Sequence, residues 1–160
     1  MKKEDVLSHL QSAKSAHIKW LDKAKLLING LDLQDSIIPI DSKECSFGKW
    51  FYGDGQKLKS LSNNPLECMQ NMEELHFNFH DKYLNIFNIY FADTKKAGFF
   101  SKLVGSKKRK VINEEETFLA ESYHIEMKMI SQNLIEEINR LERRLTAVSN
   151  EKIESLGQNL

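Results

Sequence analysis

Val6, Leu10, Ala13, His17, Trp20, Ala24 and Leu27 follow one another at alternating steps of four and three residues. That spacing sets them on one face of a helix. A face of this kind is stable only when buried against another, which commits the chain to helix-on-helix packing. A second stripe holds Met69, Met72, His76, His80, Tyr83, Phe87 and Tyr90, again at steps of three or four. A third runs Met127, Ile130, Leu134, Ile138, Leu141, Leu145 and Val148 in near-heptad register. No segment alternates apolar and polar residues between turn signals, as a half-buried strand would. The expected fold is all-α. Up-and-down packing as a four-helix bundle is the economical way to bury such stripes.

Local signals divide the chain. Gly30 is a terminator for the first helix. The loop over residues 31–41 contains Pro39, and Asp41 or Ser42 caps a short second helix with Cys45 in its first turn. That helix should stop near Gly53, Asp54 and Gly55. Asn64, Pro65 and Glu67 form a strong start for a third helix reaching about Ala92. Residues 93–112 break the periodicity with a run of basic residues and read as an inserted connection. Asn113 and Glu116 form a capping box at the head of the last helix, and Glu114 and Glu115 suit its positive end. The expectation is therefore one bundle over residues 1–148, with three long helices, a short one carrying the cysteine, and the basic insert. Residues 149–160 are expected to fray.

Composition narrows the class of function. The 160 residues carry 23 basic and 23 acidic side chains, so overall charge gives no grip on nucleic acid. Two cysteines, Cys45 and Cys68, do not make a disulfide framework. The N-terminal MKKEDVLSHLQSAK is charged and then amphipathic, without the apolar run of a secretory signal. No apolar stretch approaches the ~20 residues needed to span a bilayer. These features fit a reduced, cytoplasmic protein.

The chemistry lies on the inward stripes. His17 takes a seam position of the first helix, and His76 and His80 stand four residues apart, so their rings leave one helix face a turn from each other. Cys45 lies where helix N-terminal amides favour a thiolate, the form that binds metal. A histidine on an apolar face can simply be satisfied in the core, and spacing alone leaves both readings open. Three buried histidines and a cysteine are nevertheless expensive without a shared purpose. Together they form a closed tetrahedral set suited to one Zn²⁺, leaving no position for a water nucleophile. The pair His76-Phe-Asn-Phe-His80 also lacks the glutamate of the His-Glu-x-x-His peptidase motif. An enzyme is not expected.

Three blocks, His17-Ile-Lys-Trp20, Cys45-Ser-Phe47-Gly48-Lys-Trp50 and His76-Phe-Asn-Phe-His80, resemble the signature of the chemoreceptor zinc-binding domain family. The resemblance spans about residues 5–92 through motifs and reaches the last helix by layout. It implies tight zinc binding by His17, Cys45, His76 and His80, a four-helix fold and pairing as a homodimer. It further implies a regulatory role. Members of that family are attached to chemoreceptors or diguanylate cyclases, and tune signalling in response to zinc or to oxidation of the cysteine. This chain differs in carrying neither a chemoreceptor signalling helix nor a cyclase domain, and in its basic insert. A signalling partner is then expected in trans or in a longer parent chain. The alternative is an interaction module with a purely structural zinc, acting through the basic loop.

Around these blocks, Trp20, Phe47 and Trp50 are expected to wall the site, and Gly48 to let another helix approach closely. Cys68 reads as a small hydrophobe, and His9 and His124 as surface residues, with His124 the first substitute ligand. Lys107, Lys108, Arg109 and Lys110 read as a solvated loop.

Overall fold

A computed structural model describes residues 1–31, 38–63, 65–91 and 110–156. Every regular element among them is helical. α1 spans Lys3–Ile28, α2 Ser46–Tyr52 and α3 Leu66–Phe91. α4 spans Glu114–Thr146 and α5 Asn150–Ser155. A 3₁₀ helix, Asp54–Ser60, follows directly on α2.

α3 and α4 pack along most of their length, and α1 lies against α4. α2 folds onto the 3₁₀ helix and touches α1. Ion pairs set the register on both flanks of α4. Lys82 meets Glu126 and Arg140 meets Glu67 between α3 and α4. Lys14 meets Glu142 and Lys25 meets Glu121 between α1 and α4.

The buried side chains form two clusters. One contains Val6, Leu10, Ala13, Phe51, Met69, Met72, Leu134 and Leu141. The other contains Ala24, Leu27, Phe79, Tyr83, Ile86 and Met127. Between them, His17 separates the two clusters on α1 and His76 separates them on α3.

The helix starts follow the sequence signals in part. The capping box at Asn113 forms in full, with Asn113 Oδ1 accepting from Glu116 N at 2.8 Å and Glu116 Oε2 accepting from Asn113 N at 3.1 Å. The cap of α2 differs from expectation. Asp41 closes a turn through Lys43 N instead, and Cys45 is itself the cap, its sulfur accepting from Gly48 N at 3.2 Å. The residues after Ser149, expected to fray, form α5, because the Ser149 hydroxyl caps Lys152 N and Ile153 is fully buried in the first cluster. The 3₁₀ helix has no periodic stripe and was not expected; Leu58 anchors it in the same cluster. The Asn64 cap and residues 93–109 of the expected insert lie outside the described residues, as do residues 157–160. Lys110 N donates to Tyr90 O at 2.8 Å, so the chain re-enters beside the point where α3 ends. No described helix is long and apolar enough to cross a membrane.

Candidate metal centre

His17 rises from the buried face of α1 and is completely shielded. Its Nδ1–H donates to the Ala13 carbonyl at 2.7 Å. A carbonyl can only accept, so this bond fixes the tautomer and leaves a lone pair on Nε2. That Nε2 is buried and has no hydrogen-bond partner. His80 repeats the arrangement from α3. Its Nδ1–H donates to the Pro39 carbonyl at 2.7 Å, and its Nε2 is likewise buried and unpartnered. Pro39 lies in the segment leading to α2, so that segment orients the His80 ring.

His76 lies one turn before His80, with ring centroids 4.7 Å apart. Its ring centroid is 5.2 Å from that of His17. One ligand nitrogen from each of His17, His76 and His80 lies within 4.8 Å of the others. Cys45 adjoins this triad at one edge, its Sγ 3.2 Å from His76 Nε2, but the sulfur does not meet that separation with all three imidazoles. Of the four ligands expected from the sequence, the structure brings the three histidines together and sets the thiol against His76 alone.

Aromatic rings enclose the group. Trp20 and Phe79 lie 4.9 and 5.1 Å from His17, and Phe47 lies 4.9 Å from His76, centroid to centroid. Water is excluded, and the electrostatics follow. Burial pulls the His17 pKa down to about 4 and the His76 pKa down to about 2. Burial also lowers His80, against the Pro39 hydrogen bond. All three are therefore neutral at physiological pH, the form in which imidazole binds metal. Burial pushes the Cys45 thiol up, while the backbone amides of Gly48 and Phe47 pull the other way. The helix start alone does not outweigh burial, and the thiol form is favoured here.

Gly48 makes this corner possible. A Cβ on it would stand 1.9 Å from the Ser42 carbonyl oxygen, the same oxygen that lies 3.2 Å from the Cys45 thiol. The turn over residues 42–45 can close onto α2 only where no side chain intervenes.

His9 and His124 stay outside the group. His9 is exposed and stacks on Trp50 at 5.2 Å. His124 donates through Nε2 to the Leu21 carbonyl at 3.0 Å, tying α4 to α1. Sequence reasoning missed the two carbonyl partners, Ala13 and Pro39, which carry no side-chain signal. It also missed Ser131, which is buried on α4 with a hydroxyl that has no partner. Its signal was present: Met127, Ser131 and Leu134 continue the four-and-three stepping, and the apolar Ile130 hid it.

Two unpartnered, buried nitrogens beside a third neutral imidazole are a donor set that fits a divalent cation. Residues 17–86 match the family model of the chemoreceptor zinc-binding domain. The match begins at His17 and includes Cys45, His76 and His80. That domain binds zinc, and the described residues collect three possible nitrogen ligands for it. No curated protein and no solved structure matches the chain.

Proposed function

From the match of residues 17–86 to a chemoreceptor zinc-binding domain, we propose that this protein is a cytoplasmic sensory module. It holds one zinc ion through His17, His76, His80 and Cys45, within a four-helix arrangement that pairs as a homodimer. The observation that carries the reading is the pair of buried, unpartnered nitrogens, His17 Nε2 and His80 Nε2. An unmade hydrogen bond costs ~1–3 kcal/mol at a buried polar atom. Two such atoms facing one cluster are explained when both donate to a metal. Zinc would supply a cationic centre that favours the thiolate form of Cys45 and joins ligands from α1, the α2 cap and α3.

The chain's own residues set the terms. The Ala13 and Pro39 carbonyls hold two imidazoles with Nε2 inward. Trp20, Phe47 and Phe79 keep water away from the site. Cys45, at its edge, is the replaceable member. A peroxide transfers one oxygen atom to the thiolate sulfur and leaves as water or alcohol, giving a sulfenate that is a poorer ligand. Loss of that ligand frees the α2 cap from α3. A signalling protein of the chemoreceptor or diguanylate cyclase type, in trans or in a longer parent chain, reads the change.

Elemental analysis of the purified chain together with its mass in solution tests the site and the dimer. The expected result is one zinc per chain in a particle of twice the chain mass. In a chelator competition, Cys45→Ala should hold zinc more weakly than wild type and lose its response to peroxide. Equal affinity would refute the assignment of Cys45.

A further inference from the structure

α4 is apolar along its buried face, with Ala120, Met127, Leu134, Ile138, Leu141 and Leu145, except at one position. Ser131 is 1% exposed, and its hydroxyl has no hydrogen-bond partner. A methyl group there would avoid the desolvation of an unmade hydrogen bond. The hydroxyl therefore needs an explanation.

Its height in the bundle supplies one. Between α3 and α4, the Lys82–Glu126 and Glu67–Arg140 pairs bracket the register. Counting inward from either pair places Ser131 within one residue of the level of His76. Between α1 and α4, the contacts of Lys14 with Asn139 and of Leu21 with His124 bracket His17 more loosely, counting to residues 136 and 128 on either side of Ser131. On α4, Ser131 separates Met127 of one apolar cluster from Leu134 of the other. His17 and His76 mark the same boundary on α1 and α3. Ser131 is thus the buried residue of α4 at the level of the histidine layer.

The layer has one opening for it. A metal-bound histidine almost always donates its remaining ring N–H to an acceptor, which fixes the ring and raises its basicity. His17 has the Ala13 carbonyl and His80 the Pro39 carbonyl. His76 directs Nε2 to Cys45, and among the described residues no hydrogen bond reaches its Nδ1. We propose that the Ser131 hydroxyl is the missing acceptor for His76 Nδ1–H in the zinc-loaded protein, and so a positioning residue through which α4 senses the metal. This rests on the zinc reading above. It gives the longest helix, which itself supplies no ligand, a stake in the occupancy of the site.

The experiment uses the full chain as wild type, Ser131→Ala and Ser131→Thr. Zinc affinity is measured by competition with a chromophoric chelator, and slowly exchanging imidazole N–H signals are read by NMR on histidine-labelled, zinc-loaded protein. Ser131→Ala should lose about tenfold or more in zinc affinity. It should also lose the His76 signal alone, keeping those of His17 and His80. Ser131→Thr, which retains the hydroxyl, should restore both. The zinc-free form of Ser131→Ala should be no less stable than wild type, since its hydroxyl was unpartnered. Unchanged affinity with three unchanged signals would overturn the proposal. So would equal destabilisation of zinc-free and zinc-loaded protein, the mark of a packing role. A wild-type chain that binds no zinc overturns the site reading and this inference with it.

Discussion

Acidifying the zinc-free protein should unfold it through the histidine layer, and the size of the effect can be worked from the site. The His17 pKa is held at about 4 and the His76 pKa at about 2 by burial, whereas an unfolded histidine titrates near ~6.5. The folded state therefore binds fewer protons than the unfolded one wherever pH lies below ~6.5, and stability falls as pH falls. Between about pH 7 and about pH 5 the unfolded chain gains about 0.7 of a proton at each position. The folded chain gains almost none. Each histidine then removes about 2 kcal/mol, and the two together about 4 kcal/mol. His80 is shifted the same way and adds to the loss. Domains of this size hold only ~5–15 kcal/mol in reserve. Glu116 and Glu151 are held below their ordinary values, so their contribution is lost only at more acidic pH. The assay is urea denaturation after chelation, at about pH 7, 6 and 5, with the midpoint converted through a common slope. His76→Gln should remove about 2 kcal/mol of the dependence and leave the parts due to His17 and His80. A stability that stays level within about 1 kcal/mol across this window would show that the imidazoles are not buried neutral together, and the electrostatic account of the site would fall.

Gly48→Ala should destabilise the chain by about 1–3 kcal/mol and weaken zinc binding, because the new methyl meets the Ser42 carbonyl and pushes the Cys45 turn off α2; thermal denaturation and chelator competition check the two effects. Glu142→Ala should cost about 1–3 kcal/mol in urea denaturation, since Lys14 and Glu142 are mostly buried at 16% and 15% exposure and Lys14 keeps only Asn139. Lys25→Ala, at an exposed pair with Glu121, should cost under about 1 kcal/mol in the same assay. Leu134→Ala should cost about 3 kcal/mol, as this fully buried side chain lies between Ser131 and Ile138 on the buried face of α4.

What the sequence carried legibly were side chains whose job depends on helical spacing. His17, His76 and His80 stand where the four-and-three stepping demands apolar residues, so their inward direction could be read without knowing any partner. Gly48 was legible as a place of close approach, but what approaches is the Ser42 carbonyl of the preceding turn and not another helix. Less legible was everything carried by the backbone. The Ala13 and Pro39 carbonyls decide which nitrogen each imidazole presents, and every residue type has a carbonyl. Cys45 illustrates the limit from the other side. Position near a helix start argued for a thiolate, yet burial is the larger influence and favours the thiol. Local signals report local terms, and burial is a property of the whole packing. The same contrast explains the layer itself. Two apolar clusters lie on either side of it and each is stabilised by its own buried area. The histidine layer between them gains nothing of the kind and leaves polar atoms unpartnered. Its free energy therefore depends on what those atoms meet, where that of the apolar clusters does not.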